Sequence, residues 1–261
     1  MNDPLNCKMG REKGKGGKTV TIASWLTNLR KTVVLTGAGM STESGLPDFR
    51  SPRTGLWARF NPSELATVDA LHHRHESFVE FYQYRIRTLQ QCQPHNGHRL
   101  LADWEQRGIV RTIVTQNVDG FHQQAGSQCV IELHGSLRTV HCQQCGQKQP
   151  SHVYLHGVLT CECGGVLRPS VVLFGEPLPE RAITQAWEEA RQADLFLVLG
   201  SSLQVSPANQ LPFVAKQNGA KLVIINWEPT ELDHLADAVI HQRKIGEVLK
   251  EIDQQLTEGA P

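Results

Sequence analysis

The sequence of 261 residues is long enough for one large domain, or for a main domain that carries a smaller insertion. Hydrophobic residues make up 39% and charged residues 20%, which is typical of globular proteins and excludes a disordered or fibrous chain. Lys plus Arg and Asp plus Glu number 26 each, so no net charge directs the protein to nucleic acid or to a membrane surface.

No stretch of the sequence approaches the roughly 18 apolar residues of a membrane span, and the N-terminus lacks the apolar stretch of a signal peptide. The sequence therefore predicts a cytoplasmic protein without a membrane partner, and a monomer is compatible with it. In a reducing compartment, the seven cysteines are expected to be thiols or metal ligands and not disulfides.

The first 20 residues combine glycines with basic side chains and almost no apolar residues. The basic residues are Lys8, Arg11, Lys13, Lys15 and Lys18. This composition predicts a flexible, solvated tail over residues 1–20, with a polyanion-binding arm as the alternative.

From residue 21 onwards, segments with helical spacing alternate with short apolar runs. The predicted helices cover residues 21–31, 76–90, 98–107 and 180–192 and a C-terminal stripe from Ile245 to Leu256. The predicted strands cover residues 31–36, 109–115, 130–133, 194–199 and 221–225. This alternation predicts an α/β fold, with a Rossmann-like parallel sheet and helices on both faces.

The alternation breaks between residues 140 and 167, where Cys, Gly, Gln and His replace aliphatic residues. We expect a small inserted zinc-binding module at residues 140–167, in addition to a helical insertion at about residues 52–97. The Rossmann-like domain then comprises residues 21–139 and 168–261.

Four of the cysteines form two close pairs in this predicted module: Cys142, Cys145, Cys161 and Cys163. The spacing is C-x-x-C and then C-x-C, and glycines after each pair provide the tight turns that aim two thiolates at one ion. Four thiolates without a water position are typical of one structural Zn²⁺ and not of catalytic zinc. A redox-active C-x-x-C is the alternative interpretation.

Polar clusters follow four of the predicted strands, where the carboxyl ends of parallel strands meet at one edge of the sheet. These clusters are TGAG (36–39), TQNVDG (115–120), GSS (200–202) and INWEP (225–229). Gly37 and Gly39 match the first two glycines of the dinucleotide-binding fingerprint, although Thr42 stands where the third is expected. We therefore predict one nucleotide site at this edge, with the pyrophosphate at a helix N-terminus.

Two further features belong to this predicted site. Pro47 directs the chain away from helix, so that Asp48, Phe49 and Arg50 are expected in a loop over the ligand. His134 follows a short predicted strand, and a neutral histidine there is a candidate general base because its pKa is close to working pH. With twelve histidines in the chain, a structural role for His134 is the alternative.

At these residues the sequence resembles the sirtuins, the family of NAD-dependent protein-lysine deacylases. The matching motifs are GAGMSTESGLPDFRS (37–51), TQNVDGFHQQAG (115–126), ELHGS (132–136), the four paired cysteines, VVLFGE (171–176), GSSLQVSPA (200–208) and Asn226. They occur in the family order and cover most of the catalytic core, and the N-terminal tail lies outside the resemblance.

The resemblance implies a role for each matching residue. His134 would be the general base, and Asn117, which would line the ribose site, would act with it in catalysis. The NAD phosphates and ribose would contact Ala38, Gly39, Thr42, Ser201, Ser202 and Asn226, with Lys244 at the adenine side. The nicotinamide pocket would be framed by Phe49, Arg50, Gln116, Val118 and Asp119.

The resemblance also implies the reaction and its substrate site. An acylated-lysine protein would bind as an added strand between residues 171–176, including Val172, Phe174 and Gly175, and residues 203–205. The products would be nicotinamide, O-acyl-ADP-ribose and free lysine. Zinc would take no part in the chemistry.

One further match concerns the acyl group. Tyr82 and Arg85 form Y-x-x-R on one face of a predicted helix, and Ala66 precedes them. Some sirtuins that remove succinyl and malonyl groups carry this combination, in which the Arg and Tyr would bind the acyl carboxylate and the Ala would leave room. The alternative is that Tyr82 packs in the core and Arg85 is a solvated helix charge.

We thus expect a deacetylase that also removes succinyl or malonyl groups. Two other functions remain open at this point: a protein mono-ADP-ribosyltransferase that uses the same pocket, and a non-enzymatic NAD-sensing interaction module stabilised by zinc.

Overall fold

The computed structural model describes residues 15–48 and 61–258 of the chain. The strands of the described part are β1 (Thr32–Thr36), β2 (Val110–Thr115), β3 (Val130–Glu132), β4 (Gly135–Cys142), β5 (Lys148–Pro150), β6 (Leu167–Val171), β7 (Leu195–Leu199), β8 (Lys221–Ile225) and β9 (Ala238–Ile240). Six of them form the main sheet, in the order β3-β2-β1-β7-β8-β9, and every neighbouring pair is parallel. The predicted parallel sheet is confirmed.

Helices cover both faces of this sheet. They are α1 (Lys15–Asn28), α2 (Pro62–Leu65), α3 (Val68–His73), α4 (His75–Gln90), α5 (Asn96–Gln106), α6 (Phe121–Ala125), α7 (His152–Leu155), α8 (Glu180–Gln192), α9 (Leu211–Gln217) and α10 (Ile245–Glu258). On one face, Val34 packs with residues of α1, α5 and α10 such as Ile22 and Trp104. On the other face, Val33 and Leu35 pack with α8 and α9. The β1 strand reads as a continuous apolar run because both of its faces are buried.

The strand order places a topological switch point between β1 and β7. From β1 the chain builds outward to β2 and β3, and it later returns to β7 on the opposite side of β1. The connections after β1 and β7 therefore leave the sheet in opposite directions and open a crevice between them. This is where ligands bind in doubly wound sheets.

The antiparallel sheet extends beyond the predicted zinc module. The strands β5, β4 and β6 form this separate sheet, which begins at Gly135 and ends at Val171, on either side of the predicted bounds 140–167. Leu137 and Val140 of this sheet share one buried core with Phe78 and Tyr82 of α4. The cysteine-rich segment has too few aliphatic residues for a core of its own, and it obtains one from the helices.

The predicted bounds of the tail and of the helical insertion also need correction. The first described helix begins at Lys15, so residues 15–20 are helical and not tail. Thr19 is buried and Lys18 Nζ donates to the Val239 carbonyl at 2.9 Å, which shows that packing against the sheet edge outweighs the local glycine and lysine composition. The helical insertion ends before Asn96, where α5 of the main domain begins, and its first residues lie outside the described part.

Within the described residues, we find no helix that is both long and apolar enough to cross a membrane.

Candidate active site at the strand ends

The loops after β1 and β7 contact each other through their backbones. Gly39 N donates to the Gly200 carbonyl at 2.9 Å, and Gly37 N donates to the Leu199 carbonyl at 3.1 Å. A Cβ atom on Gly200 would lie 2.3 Å from Met40 N, and the residue has a φ of +64°. Glycine is therefore required at position 200 both for its left-handed conformation and for the close approach of the two loops.

The sequence suggested that Gly39 is a glycine because a pyrophosphate must approach its backbone, but the loop after β7 already excludes a side chain at this position. A Cβ on this residue would lie 2.9 Å from Gly200 Cα, so the neighbouring loop already requires glycine there. Residues Ala38–Ser44 form a 3-10 helix, where the sequence predicted the N-terminus of a helix, and the chain leaves this helix at Gly45. Thr42 is exposed, and its hydroxyl donates to the Gly39 carbonyl at 2.9 Å. Phe49 and Arg50 lie outside the described residues.

The end of β2 supplies two amide side chains that reach the neighbouring loops. Gln116 Nε2 donates to Ser201 Oγ at 2.9 Å and thereby connects β2 to the β7 loop across β1. Asn117 is buried, and its Nδ2 donates to the Gly37 carbonyl at 3.0 Å and to Ser41 Oγ at 3.2 Å. The predicted residues of three strand ends are thus brought together around one crevice.

Asp119 lies deeper in the same crevice. Its carboxylate accepts hydrogen bonds from Ser41 Oγ at 2.7 Å and from Phe121 N at 2.9 Å. Burial raises the pKa of Asp119, while these two hydrogen bonds lower it and offset part of that rise. Val118 is part of the adjoining core, and its carbonyl accepts from Leu137 N at 2.8 Å.

His134 is held in one orientation by the end of β2. Its Nδ1 lies 2.8 Å from the Gln116 carbonyl oxygen. A carbonyl can only accept, so Nδ1 carries the proton, and the neutral ring then has an unprotonated Nε2 that can take a proton from a substrate. Burial lowers the pKa of His134, against a smaller opposing effect of the bond to Gln116, and this favours the neutral ring. Both effects suit a general base.

A buried polar network beneath the crevice was missed by the sequence analysis. Ser41 accepts from Asn117 and donates to Asp119, and its Oγ lies 3.5 Å from His98 Nε2. Thr36 Oγ1 donates to Thr115 Oγ1 at 2.8 Å and lies 3.0 Å from His122 Nε2. The only sequence signal for these residues is that polar side chains directly flank the strand ends.

The two histidines of this network stay neutral. Burial lowers the pKa of His98 to about 2 and that of His122 to about 3, so neither ring is protonated at working pH. Their ring centroids are 4.9 Å apart. We conclude that they orient the hydroxyl groups above them and do not transfer protons.

The end of β8 completes the crevice on the far side of β7. Asn226 is buried, its backbone N donates to the Ile240 carbonyl at 3.1 Å, and its carbonyl lies 2.9 Å from His241 Nδ1. Gly200 N donates to the Ile225 carbonyl at 2.9 Å, which joins this strand end to the β7 loop. Lys244 is exposed, and its Nζ lies 3.8 Å from Glu247 in the first turn of α10. None of these contacts connects Lys244 to the crevice.

The residues of the predicted acyl site lie together in the small core. Ala66 and Tyr82 are buried there, and Arg85 lies one helical turn after Tyr82 on α4. The Arg85 guanidinium carbon is 5.6 Å from the centroid of the Tyr82 ring, and the guanidinium interacts electrostatically with Asp119. Tyr82 packs in the core as the alternative stated, but Arg85 is partly buried and is not a freely solvated charge.

Residues 171–176, which we call the docking segment, connect this core to the general-base candidate. Val172 N donates to the His134 carbonyl at 2.9 Å, and Phe174 N donates to the Ala66 carbonyl at 2.8 Å. The side chains of Val171 and Leu173 point into the small core, whereas Phe174 is 49% exposed. Gly175 has a φ of +96°, which turns the chain at the end of the segment.

The four paired cysteines converge on one point, as the sequence predicted. Their sulfur atoms all lie within 4.8 Å of one another, with 3.5 Å between Cys142 and Cys163 and 3.8 Å between Cys145 and Cys161. A tetrahedral Zn²⁺ with Zn–S bonds of about 2.3 Å requires sulfur atoms roughly 3.8 Å apart. The four cysteines are positioned to bind a zinc ion.

Replacement of one ligand, Cys145→Ser, is expected to reduce bound zinc from one ion per chain to almost none. Structural zinc contributes about 10–16 kcal/mol to the folding of small modules, so the cysteine-rich loops should unfold and the melting temperature should fall. Elemental analysis and a thermal melt measure both effects. Cys129→Ser is the matched control because Cys129 is exposed and lies outside the cluster. Full zinc content in Cys145→Ser would contradict the assignment.

The part of the chain that contains these residues matches known proteins. The model of the Sir2 family matches residues 37–207. The NAD-dependent protein deacetylase 1 of Geobacillus kaustophilus is 86% identical over 93% of this chain and 100% of its own length. The NAD-dependent protein deacetylase of Oceanobacillus iheyensis is 55% identical over 90% of this chain and 99% of its own length.

Solved structures agree with this relationship. A Sir2 structure in complex with a deacetylated p53 peptide and O-acetyl-ADP-ribose is 35% identical, with a TM-score of 0.86 over 93% of this chain and 98% of the other. A second structure, from work on the mechanism and regulation of Sir2 enzymes, is 39% identical with a TM-score of 0.84, over 93% and 98% of the two chains. On sequence, fold and site, the chain belongs to the Sir2 family.

Proposed function

We propose that this Sir2-family enzyme, an NAD-dependent protein deacetylase, uses His134 as its general base at the crevice formed by the strand ends. The observation that carries the proposal is the hydrogen bond between His134 Nδ1 and the Gln116 carbonyl. It leaves Nε2 free to accept a proton, and Gln116 itself is bonded to Ser201 of the β7 loop. The names of the relatives, all NAD-dependent protein deacetylases, support the same activity.

The residues at the strand ends fit NAD. Backbone groups come unusually close where Gly37, Gly39 and Gly200 meet, and the polar side chains around them are held by hydrogen bonds before any ligand binds. Phosphates and ribose would lie against Ala38, Gly39, Thr42, Ser201, Ser202 and Asn226, with Lys244 at the adenine side, and the nicotinamide against Gln116, Val118 and Asp119 with Phe49 and Arg50. When bound, NAD supplies the ribose carbon that receives the acyl oxygen as nicotinamide leaves.

The residues of the chain then transfer a proton and orient the bound ribose. His134 takes a proton from a ribose hydroxyl, so that this oxygen can accept the acyl group. Asn117 is fixed by Gly37 and Ser41 and orients the ribose beside His134. The buried carboxylate of Asp119 acts in a site of low dielectric, where its electrostatic effect is larger than in water. The products are nicotinamide, O-acyl-ADP-ribose and free lysine.

The partners of the enzyme are acylated-lysine proteins in the cytoplasm. The docking segment and residues 203–205 would receive the substrate peptide as an added strand. Recognition would then depend on backbone hydrogen bonds more than on the sequence around the lysine.

The substitution His134→Ala is expected to lower the rate of NAD-dependent deacetylation by about 100- to 10,000-fold, the usual contribution of a general base. Nicotinamide and O-acetyl-ADP-ribose formed from an acetyl-lysine peptide are measured by mass spectrometry. His152→Ala, at an exposed histidine, is the control and should have little effect. Unchanged turnover in His134→Ala would remove the assigned role, and labelled protein in place of O-acetyl-ADP-ribose would favour the ADP-ribosyltransferase.

The pH dependence of the wild-type enzyme provides a second measurement of the same role. A base must be neutral, and the lowered pKa of His134 keeps it neutral below its ordinary value of 6.5. The acid limb of kcat/KM should therefore lie below pH 6.5, with activity lost as the pH falls through the pKa of the folded enzyme. An acid limb above pH 6.5 would contradict the environment described for His134.

We further propose that the enzyme removes succinyl and malonyl groups in addition to acetyl groups. The observation that favours this is the contact of the Arg85 guanidinium with the Tyr82 ring, in the core that also contains the small residue Ala66 and adjoins the docking segment. Arg85 can bind a carboxylate bidentately, and Tyr82 can donate a further hydrogen bond. The backbone hydrogen bond between Phe174 and Ala66 supports an acyl site next to the proposed peptide strand.

The substitution Arg85→Met tests this specificity. Loss of a charge-assisted hydrogen bond, worth about 1.5–3 kcal/mol, should lower kcat/KM for a succinyl-lysine peptide by about 10- to 100-fold and that for an acetyl-lysine peptide far less. Arg87→Met on the same helix is the matched control, because Arg87 is exposed and its guanidinium donates to Gln83, one turn earlier on that helix. Equal losses for both peptides would exclude acyl selection by Arg85.

A further inference from the structure

An ion pair between a buried arginine and a partly exposed glutamate, whose side chain is 29% exposed, lies at the base of the docking segment. The side chain of Arg168 is 6% exposed, and its guanidinium binds both carboxylate oxygens of Glu176 at 2.5 Å and 2.9 Å. The same guanidinium donates to the Val171 carbonyl at 2.6 Å, and Glu176 accepts from Leu173 N at 2.8 Å. The two charged groups therefore fasten the segment at its start, at its middle and at its end.

The segment fixed in this way lies between two parts of the proposed site. Val172 N is bonded to the His134 carbonyl, and Phe174 N is bonded to the Ala66 carbonyl. Its buried side chains, Val171 and Leu173, alternate with Val172 and Phe174, which face outward. A shift of one residue in the segment would exchange these two sets and would move the edge that a peptide strand must join.

Charges are not required to hold two elements together, because burial of an ion pair costs part of what its attraction returns. An apolar pair would hold two elements together equally well. What a bidentate Arg–carboxylate pair adds is a fixed geometry between particular backbone positions. This is the property that a peptide-binding strand beside a catalytic residue needs.

We propose that the side chains of Arg168 and Glu176 are positioning groups for the acyl-lysine peptide, acting through the conformation of the docking segment and not by side-chain contact with the substrate. The inference rests on the proposed function, since it assigns these residues to the peptide site of the deacetylase. It predicts that the pair controls peptide binding and leaves NAD binding almost unchanged.

The test is the substitution Glu176→Gln, which keeps the shape of the side chain and removes its charge. Its matched control is Glu189→Gln, because Glu189 forms an Arg–Glu pair with Arg111 that is remote from the docking segment. The KM values for an acetyl-lysine peptide and for NAD, kcat, and the melting temperature are measured for each protein. We expect the peptide KM of Glu176→Gln to rise about tenfold or more, with the NAD KM within about twofold of wild type.

Direct peptide binding keeps the test independent of turnover. The anisotropy of a fluorescein-labelled acetyl-lysine peptide gives its Kd, which should rise by the same factor as the KM. Arg168→Lys is the second variant, and it should show a smaller rise because the charge remains but the planar fork is lost. If Glu176→Gln folds poorly, the peptide Kd and KM of Arg168→Lys test the proposal in its place.

Two results would overturn the proposal. One is an unchanged peptide KM and Kd, even if the melting temperature falls, since the pair would then be structural only. The other is an equal rise in the KM values for peptide and NAD. A wild-type protein that binds the peptide but releases no nicotinamide would count against the proposed function instead, and the comparison of Kd values would still decide the role of the pair.

Discussion

The structure depends on the backbone contact between the loops that follow β1 and β7. Three glycines without side chains, Gly37, Gly39 and Gly200, allow these loops to share hydrogen bonds at the switch point of the sheet. The ends of β2 and β8 are bonded to the same loops through Asn117 and the Ile225 carbonyl. Four strand ends are thus joined by hydrogen bonds without any ligand, and catalysis by orientation requires such prior positioning.

The second constraint is that the buried polar groups around the crevice need hydrogen-bond partners. The crevice is lined by polar groups that are buried, and each unpaired group there would cost free energy. The hydroxyls of Thr36, Ser41 and Thr115 provide partners, and the neutral rings of His98 and His122 support them. Histidine suits this position because burial suppresses its charge, whereas a lysine or a carboxylate would carry a larger penalty. Ser41 joins Asn117 to Asp119, so the network reaches the proposed catalytic residues directly.

Most of the main sheet could be predicted from the sequence because a strand buried on both faces leaves an unmistakable apolar run. The strand β8 and the helix α8 have the predicted bounds, and the cysteine spacing identified the metal cluster. These signals are local. The short strand β9 was not predicted, since three residues carry no periodicity.

The parts that could not be predicted depend on contacts between distant segments. The shared core of α4 and β4 joins residues far apart in the sequence, and no pattern within either segment reveals it. Residues 15–20 belong to α1 and Thr19 is buried, a tertiary contact that the local glycine and lysine composition does not indicate. In the site, Ser41 and His98 were missed because a polar residue next to a strand end looks the same whether it faces solvent or a buried network. The sequence could supply the list of strand ends but not the hydrogen bonds that join them.

The most direct measurement of this account is the affinity for ADP-ribose, by calorimetric titration, of the wild-type protein and of Gly200→Ala. The added methyl would lie 2.3 Å from Met40 N and separate the two loops, so we expect the affinity to fall on the order of 100-fold. Gly108→Ala is the matched control, because Gly108 also has a positive φ, +72°, but a Cβ there meets no atom within 4 Å. Unchanged ADP-ribose affinity in a folded Gly200→Ala protein would contradict the claim that the packed loops form the nucleotide site.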